Sequence, residues 1–218
     1  MVIFDCNGVL IDSEPLAAAV AAHEFQRIGI ALTPDLIARY FTGRRPADMF
    51  AEVEQAAGRK LPAGFTAHVA ATTLARFQHD LRATAHVAHA LTWLRGRKCV
   101  ASSSPLDRMR MSLETVGLLR FFDPYLFSAS DMPRGKPSPD VFLLVAEKMR
   151  VRPQECIVVE DSPVGVTAAA AAGMTPIGFV GGSHAGPHLA AQLTASGART
   201  VITDMRLLKS TVIALRGW

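Results

Sequence analysis

Hydrophobic and polar positions follow two regimes along the chain. Across residues 13–85 apolar side chains recur at helical spacing, and no run alternates as a strand would. An Ala-rich helix is predicted over 15–28, stopped by Gly29. Thr33-Pro34 opens a short helix to about Phe41, with Thr33 at the cap and Pro34 at its first position. The sequence Gly43-Arg44-Arg45-Pro46 breaks it. A further helix is predicted over 46–57, closed by Gly58, and another over 62–81. Outside this block, short apolar runs with β-branched members alternate with helical stretches. Strands are predicted over 2–4, 99–101, 125–127, 157–159, 176–180 and 200–203. The helices between them include 86–95, one ending at Gly117, one over 139–149 capped by Ser138, and an Ala-rich one opened by Pro163 and stopped by Gly173. Such alternation predicts an α/β fold with a parallel sheet and helices on both faces. The all-helical block then reads as an insertion: a core domain from 1–12 and 86–218, and a helical cap from 13–85.

Polar residues stand where the apolar runs stop. Asp5 follows the first strand directly, Ser102 the second, and Glu160-Asp161 the fourth; Lys136 lies in the loop after the third. Asn7-Gly8 alone would suit a hairpin turn. In a parallel sheet, however, all these strand ends share one edge, and that edge is where ligands bind in open α/β folds. Asp5 and Asp161, with a backbone carbonyl and waters, suit Mg²⁺, which takes one or two carboxylates and keeps several waters. Ser102 and the backbone N–H groups at the next helix start suit a phosphate, and Lys136 supplies positive charge. Taken singly, Ser102–Ser104 reads as a loop and cap, and Asp161-Ser162-Pro163 as a helix start. The ordered combination reads as phosphoryl-transfer machinery.

Composition narrows the partners. Of 218 residues, 50% are hydrophobic and 19% charged, as in a globular chain with a real core, and no apolar run spans a bilayer. The chain start carries no secretory pattern. Cys6, Cys99 and Cys156 are widely spaced, which predicts reduced thiols in a cytoplasmic protein. A net charge of +4 comes from scattered basic residues with only 7% aromatics, so nucleic acid is not expected and a small anionic substrate is. His86 and His89 share helical spacing but lack a third ligand and read as surface residues. His184 follows a strand and could border the cleft. Cys6, beside Asp5 but without a partner histidine, reads as turned into the core. Asp12 reads as structural.

The segments FDCNGVLIDSE, VASSSP, RGKPSPD and VVEDSPVGV occur in that order across most of the chain. On them the chain resembles the haloacid dehalogenase superfamily, in the branch similar to β-phosphoglucomutase and sugar-phosphate phosphatases. The resemblance implies a Rossmann-like core with a helical cap inserted after the first strand, and Mg²⁺-dependent hydrolysis of a small phosphate ester. It implies that Asp5 is the nucleophile that becomes an aspartyl-phosphate. Asp161, Asp5 and the backbone carbonyl of Asn7 would bind Mg²⁺, with Glu160 joining directly or through water. Ser102, the Ser103 backbone and Lys136 would hold the phosphoryl group, with Gly8 and Ser104 also at the substrate site. In the cap, the loop 42–45 resembles a substrate loop with Arg44 as its gripping residue, and Glu14 would meet a sugar hydroxyl.

The family usually carries an acid/base Asp where this chain has Asn7. An amide neither donates nor accepts a proton in that role, so turnover is predicted to be impaired. An engineered Asp-to-Asn exchange, a natural variant and a binding protein descended from a phosphatase would each place Asn there. A sugar-phosphate mutase and a non-catalytic phosphate-ligand binder are the alternative functions, and a monomer or homodimer the expected state.

Overall fold

Val2, Ile3 and Phe4 form β1 (Val2–Phe4), and it lies in the middle of the sheet rather than at its edge. The computed structural model describes residues 1–130 and 132–216. Its sheet adds β2 (Lys98–Ser102), β3 (Leu126–Ser128), β4 (Ile157–Glu160), β5 (Thr175–Phe179) and β6 (Thr200–Ile202), in the order β3-β2-β1-β4-β5-β6. Every pairing is parallel. Ile3 stands opposite Cys99 on one side and Val158 on the other. The hairpin option for Asn7-Gly8 is thereby excluded: β1 and β2 run the same way, and Gly8 N–H instead closes a local turn onto the Ile11 carbonyl at 2.7 Å.

Alternation along β1 divides its side chains between two packed faces. Val2 and Phe4 join Val100, Val159, Ile177, Met109, Leu113 and Phe122 on one face. Ile3 joins Cys99, Val158, Phe142, Val145 and Ala168 on the other. Phe4 meets Phe122 edge-on, with centroids 5.7 Å apart. Burial of both faces explains why the strands read as unbroken apolar runs. The covering helices are α5 (Val87–Trp93), α6 (Leu106–Thr115), α7 (Asp140–Met149), α8 (Pro163–Ala171), α9 (Leu189–Ala195) and α10 (Leu208–Arg216), with α1 to α4 preceding them.

The helices α1 (Glu14–Arg27), α2 (Pro34–Phe41), α3 (Pro46–Ala57) and α4 (Phe65–Asp80) bury a cluster of their own. At its centre Phe25 packs on Phe65 and Phe50, with centroids 5.2 and 6.0 Å apart. Local chemistry sets the ends. Thr33 Oγ1 accepts from Leu36 N–H at 3.2 Å, and Gly58 takes a left-handed φ of 64° that ends α3. α4 starts at Phe65 rather than Pro62, because Gly64 before it is left-handed. Its other end carries Phe77 into the sheet core beside Leu81, so one helix is shared by both clusters.

Several boundaries differ from expectation by a residue or two, β5 (Thr175–Phe179 against 176–180) and α5 (Val87–Trp93 against 86–95) among them. β3 begins at Leu126, not Tyr125. Ser138 does not cap α7: its hydroxyl donates to Asp140 Oδ1 at 2.7 Å, and Pro139 occupies the cap position.

Candidate active site

The parallel register brings Asp5, Ser102 and Glu160 to one edge of the sheet, and the loop before α7 delivers Lys136 to them. Lys136 Nζ donates to Asp5 Oδ1 at 2.5 Å, to Glu160 Oε1 at 2.6 Å and to the Ala101 carbonyl at 3.3 Å. All three side chains are buried. Burial pushes the Asp5 carboxyl well above the ordinary carboxylate range; Lys136 opposes this, while Glu160 and Asp161 add to it. Burial alone would lower the Lys136 ammonium, but Asp5 and Glu160 outweigh it and hold the ammonium above its usual value.

Glu160, expected to join a metal directly or through water, has both carboxylate oxygens engaged by protein donors. Its Oε1 holds Lys136, and its Oε2 accepts from Asp161 N–H and Ser162 N–H at 3.1 Å and from Ser162 Oγ at 2.9 Å. Ser162 in turn caps α8 by accepting from Gly165 N–H at 3.1 Å. Gly165 is required here, since a Cβ would fall 1.9 Å from Glu160 Oε1.

Asp161 lies beside this group, and its Oδ2 is buried. Gly8, expected at the substrate site, packs against Asp161 and His184. Its φ is +73°, and a Cβ there would lie 1.9 Å from Asp161 Oδ2. His184 Nε2 forms an ion pair with the same oxygen at 2.9 Å. Burial lowers the His184 pKa, and Asp161, Glu14 and Asp12 more than offset it, so the net shift is upward. Asp12 does serve structure: its Oδ1 accepts from Ser183 N–H at 3.0 Å and pins the loop that carries His184.

Three buried carboxylates, Asp5, Glu160 and Asp161, gather around one lysine and one histidine. That donor set suits a hard divalent cation. Among the described residues no three His, Cys, Asp or Glu side chains form a ready cage. An ion here would therefore take its remaining ligands from backbone carbonyls and water.

Above Asp5 opens a cleft of about 680 Å³, lined by Asn7, Glu14, Ser102, Ser103, Ser104, Arg44, Arg45 and Arg108 among others. Asn7 Nδ2 donates to Ser104 Oγ at 3.2 Å, and Ser102 Oγ accepts from Ser104 N–H at 3.2 Å. Ser103 Oγ donates to the Gly43 carbonyl at 2.8 Å, which ties the loop 42–45 to the sheet edge. Gly43 must be glycine: φ is +80°, and a Cβ would lie 2.2 Å from Ser162 Oγ.

Arg44 lines the cleft, and its Nη2 pairs with Glu52 at 2.7 Å. Arg45 makes the inter-block contact. Its Nη1 donates to the Met132 carbonyl at 2.8 Å, and its Nε and Nη2 grip both oxygens of Asp48. Sequence reasoning also missed Arg108. Its guanidinium stacks over Phe77 at 4.9 Å, and its Nε is buried without a hydrogen-bond partner. A signal existed: a cation in the first turn of α6 opposes the helix dipole, which favours acidic residues there. Facing it, Glu14 is pushed up to about 7 by burial, then by Asp161, with His184 and Arg108 opposing. Cys6 is turned into the core, where burial raises its thiol pKa well above normal, and His86 and His89 are exposed.

Comparison with known proteins agrees with this geometry. Residues 1–173 match the haloacid dehalogenase-like hydrolase family. The chain is 32% identical over 187 residues to the 6-phosphogluconate phosphatase of Escherichia coli (strain K12), covering 85% of each chain. It is 32% identical over 181 residues to the validoxylamine A 7'-phosphate phosphatase of Streptomyces hygroscopicus subsp. limoneus, covering 81% of this chain and 84% of that one. Among solved structures, it superposes on a conserved haloacid dehalogenase-like protein of unknown function from Agrobacterium tumefaciens str. C58. That match has a TM-score of 0.85 and 37% identity, over 99% of this chain and 98% of the other. A family hydrolase from Deinococcus radiodurans R1, with bound phosphate and sodium, matches with a TM-score of 0.77 and 30% identity, over 99% and 95% of the two chains.

Proposed function

Since the chain belongs to the haloacid dehalogenase-like hydrolases and is a phosphatase of that family, we propose that it hydrolyses a small phosphorylated carbohydrate through Asp5, with Mg²⁺ bound beside Asp161. The observation that carries this reading is Lys136 bridging Asp5 and Glu160 at the foot of a cleft rimmed by three serines. The names of the relatives support a sugar-phosphate substrate class.

The Ser102 hydroxyl, the Ser103 backbone N–H and Lys136 hold the phosphoryl oxygens. Lys136 offsets the charge that builds as the dianion meets Asp5, and Glu160 fixes Lys136 in place. An Asp5 oxygen attacks phosphorus in line, the P–O bond to the sugar breaks, and the sugar oxygen leaves with the bonding pair. It must then take up a proton. Water later attacks phosphorus and restores Asp5, releasing inorganic phosphate and one proton. Asp5, Asp161 and the Asn7 carbonyl would hold Mg²⁺, whose chemistry is to neutralise phosphoryl charge. Asn7 cannot move the two protons. Positioned acid–base catalysis contributes about 10²–10⁴-fold, so the chain is slowed by about that factor. The helical block closes over the cleft and excludes water from the first step.

The test is phosphate release from a panel of sugar and sugar-acid phosphates with Mg²⁺, on the chain and on Asn7→Asp. The expected result is a gain of about 10²–10⁴-fold in Asn7→Asp, abolished by adding Asp5→Asn. The reading is overturned by phosphate release that survives loss of Asp5, or by no release from either form. A binder would hold the ester without releasing phosphate in both forms, and a mutase would move phosphate between positions.

A further inference from the structure

We infer that Arg108 recognises a carboxylate on the substrate, so that the preferred ester is the phosphate of a sugar acid and not of a neutral sugar. The inference rests on the phosphatase reading above and narrows its substrate.

An unpaired cation in the cleft carries it. Arg44, Arg45 and Arg108 all line that cleft. Arg44 pairs with Glu52 at 2.7 Å, and Arg45 grips both oxygens of Asp48 at 2.8 Å. The Arg108 guanidinium makes no hydrogen bond or salt bridge with any described residue, and its Nε is buried. Its neighbour Asp107 turns back on the helix start, where Oδ1 accepts from the Arg108 backbone N–H at 2.7 Å. Glu14 faces Arg108 without pairing to it. With its carboxyl raised to about 7, Glu14 is partly protonated at neutral pH and does not cancel the charge. A buried donor without a partner is costly, and so is a cation in the first turn of a helix. An anion entering the cleft relieves both.

The second observation is the mounting of the guanidinium. It lies over the Phe77 ring at 4.9 Å, and Phe77 is fully buried. A stacked guanidinium presents its fork of donors in one fixed plane, which matches the two oxygens of a carboxylate. A second phosphate would bring nearly two negative charges to this one cation, beside Glu14 and Asp107 in the same lining; a carboxylate brings one. Ser102 lines the same cleft as Arg108, and its volume of about 680 Å³ accommodates a small ester that touches both.

The test uses Asn7→Asp with Mg²⁺ and matched esters that differ only in carrying a carboxylate or a hydroxymethyl group. The pairs are gluconate 6-phosphate against sorbitol 6-phosphate, and glycerate 3-phosphate against glycerol 3-phosphate. In at least one pair the acid should exceed the alcohol in kcat/KM by about 10- to 100-fold, the range that hydrogen bonds to charged groups supply. Adding Arg108→Gln should shrink that ratio to below about threefold, with Arg108→Lys in between. In the parent chain, the preferred acid should move the Arg108 side-chain N–H resonances and its alcohol should not; this readout decides even where a variant fails to fold. Equal kcat/KM for acid and alcohol in both pairs, or no movement of those resonances, overturns the inference and leaves the phosphatase standing. An acid preference that survives both Arg108 variants overturns the role of Arg108. A larger preference for fructose 1,6-bisphosphate overturns the carboxylate. No phosphate release from any ester overturns the phosphatase reading and this inference with it.

Discussion

Glu14 occupies the first turn of α1, lines the cleft, and carries a carboxyl raised from 4.5 to about 7 by burial and by Asp161. Unfolded, it ionises near the ordinary value; folded, it keeps its proton up to about pH 7. The folded state therefore binds more protons across that window, and stability falls as pH rises from about 4.5 through 7. Thermal midpoints measured with a chelator present should decline over that range, and Glu14→Gln should flatten the decline. A Glu14→Gln profile parallel to the parent's would place the titration elsewhere. Several other residue assignments were readable before any coordinates. Asp5, Ser102 and Lys136 each stand in the sequence at a strand end or in the loop after one, and a parallel sheet sends all of those to one edge. Which of two neighbouring arginines reaches across was not readable. Arg44 and Arg45 leave the same loop, and the partners that separate them, Glu52 and the Met132 carbonyl, are a helix and a domain's width of chain away. The contacts of Glu160 were not readable for a related reason: the N–H groups that hold its Oε2 belong to its own turn, and a motif does not state where a carboxylate points.

At the scale of elements, helices were the more legible part. Thr33, Gly58, Ser162 and Gly173 mark ends by mechanisms that act within a few residues, so the sequence contains the whole cause. α4 shows where that stops. Its apolar spacing is continuous, but Phe65 and Val69 face the helical cluster while Phe77 enters the sheet core. Phe77 is fully buried and also carries Arg108 on its ring face. Phe77→Ala should cost about 3–5 kcal/mol in urea denaturation, as large-to-small changes in packed cores do. It should also weaken substrate binding in the Asn7→Asp background, because Arg108 loses its platform. A stability loss under 1 kcal/mol would mean that α4 is not integral to the core.

On the scale of the whole molecule, two polar contacts among the described residues tie the helical block to the sheet edge: Ser103 to Gly43, and Arg45 to Met132. Arg45→Ala should speed hydrogen–deuterium exchange in the loops around 42–45 and 132–136 while leaving the central strands unchanged. Its effect on stability should stay within about 1 kcal/mol, as for partly exposed ion pairs. Uniform acceleration across the sheet would show that the contact supports the fold and not only closure. Among the described residues no helix is long and apolar enough to cross a membrane. The strand order has a further consequence, for the chain as it leaves the ribosome. β1 is made before any other strand but sits between β2 and β4, so its second neighbour does not exist until residue 160 has been synthesised. At about 5–20 residues per second, the Val-Ile-Phe segment waits many seconds for that partner. The residues of the Phe25–Phe50–Phe65 cluster are all made by residue 65, so its partners are complete while β1 still lacks one.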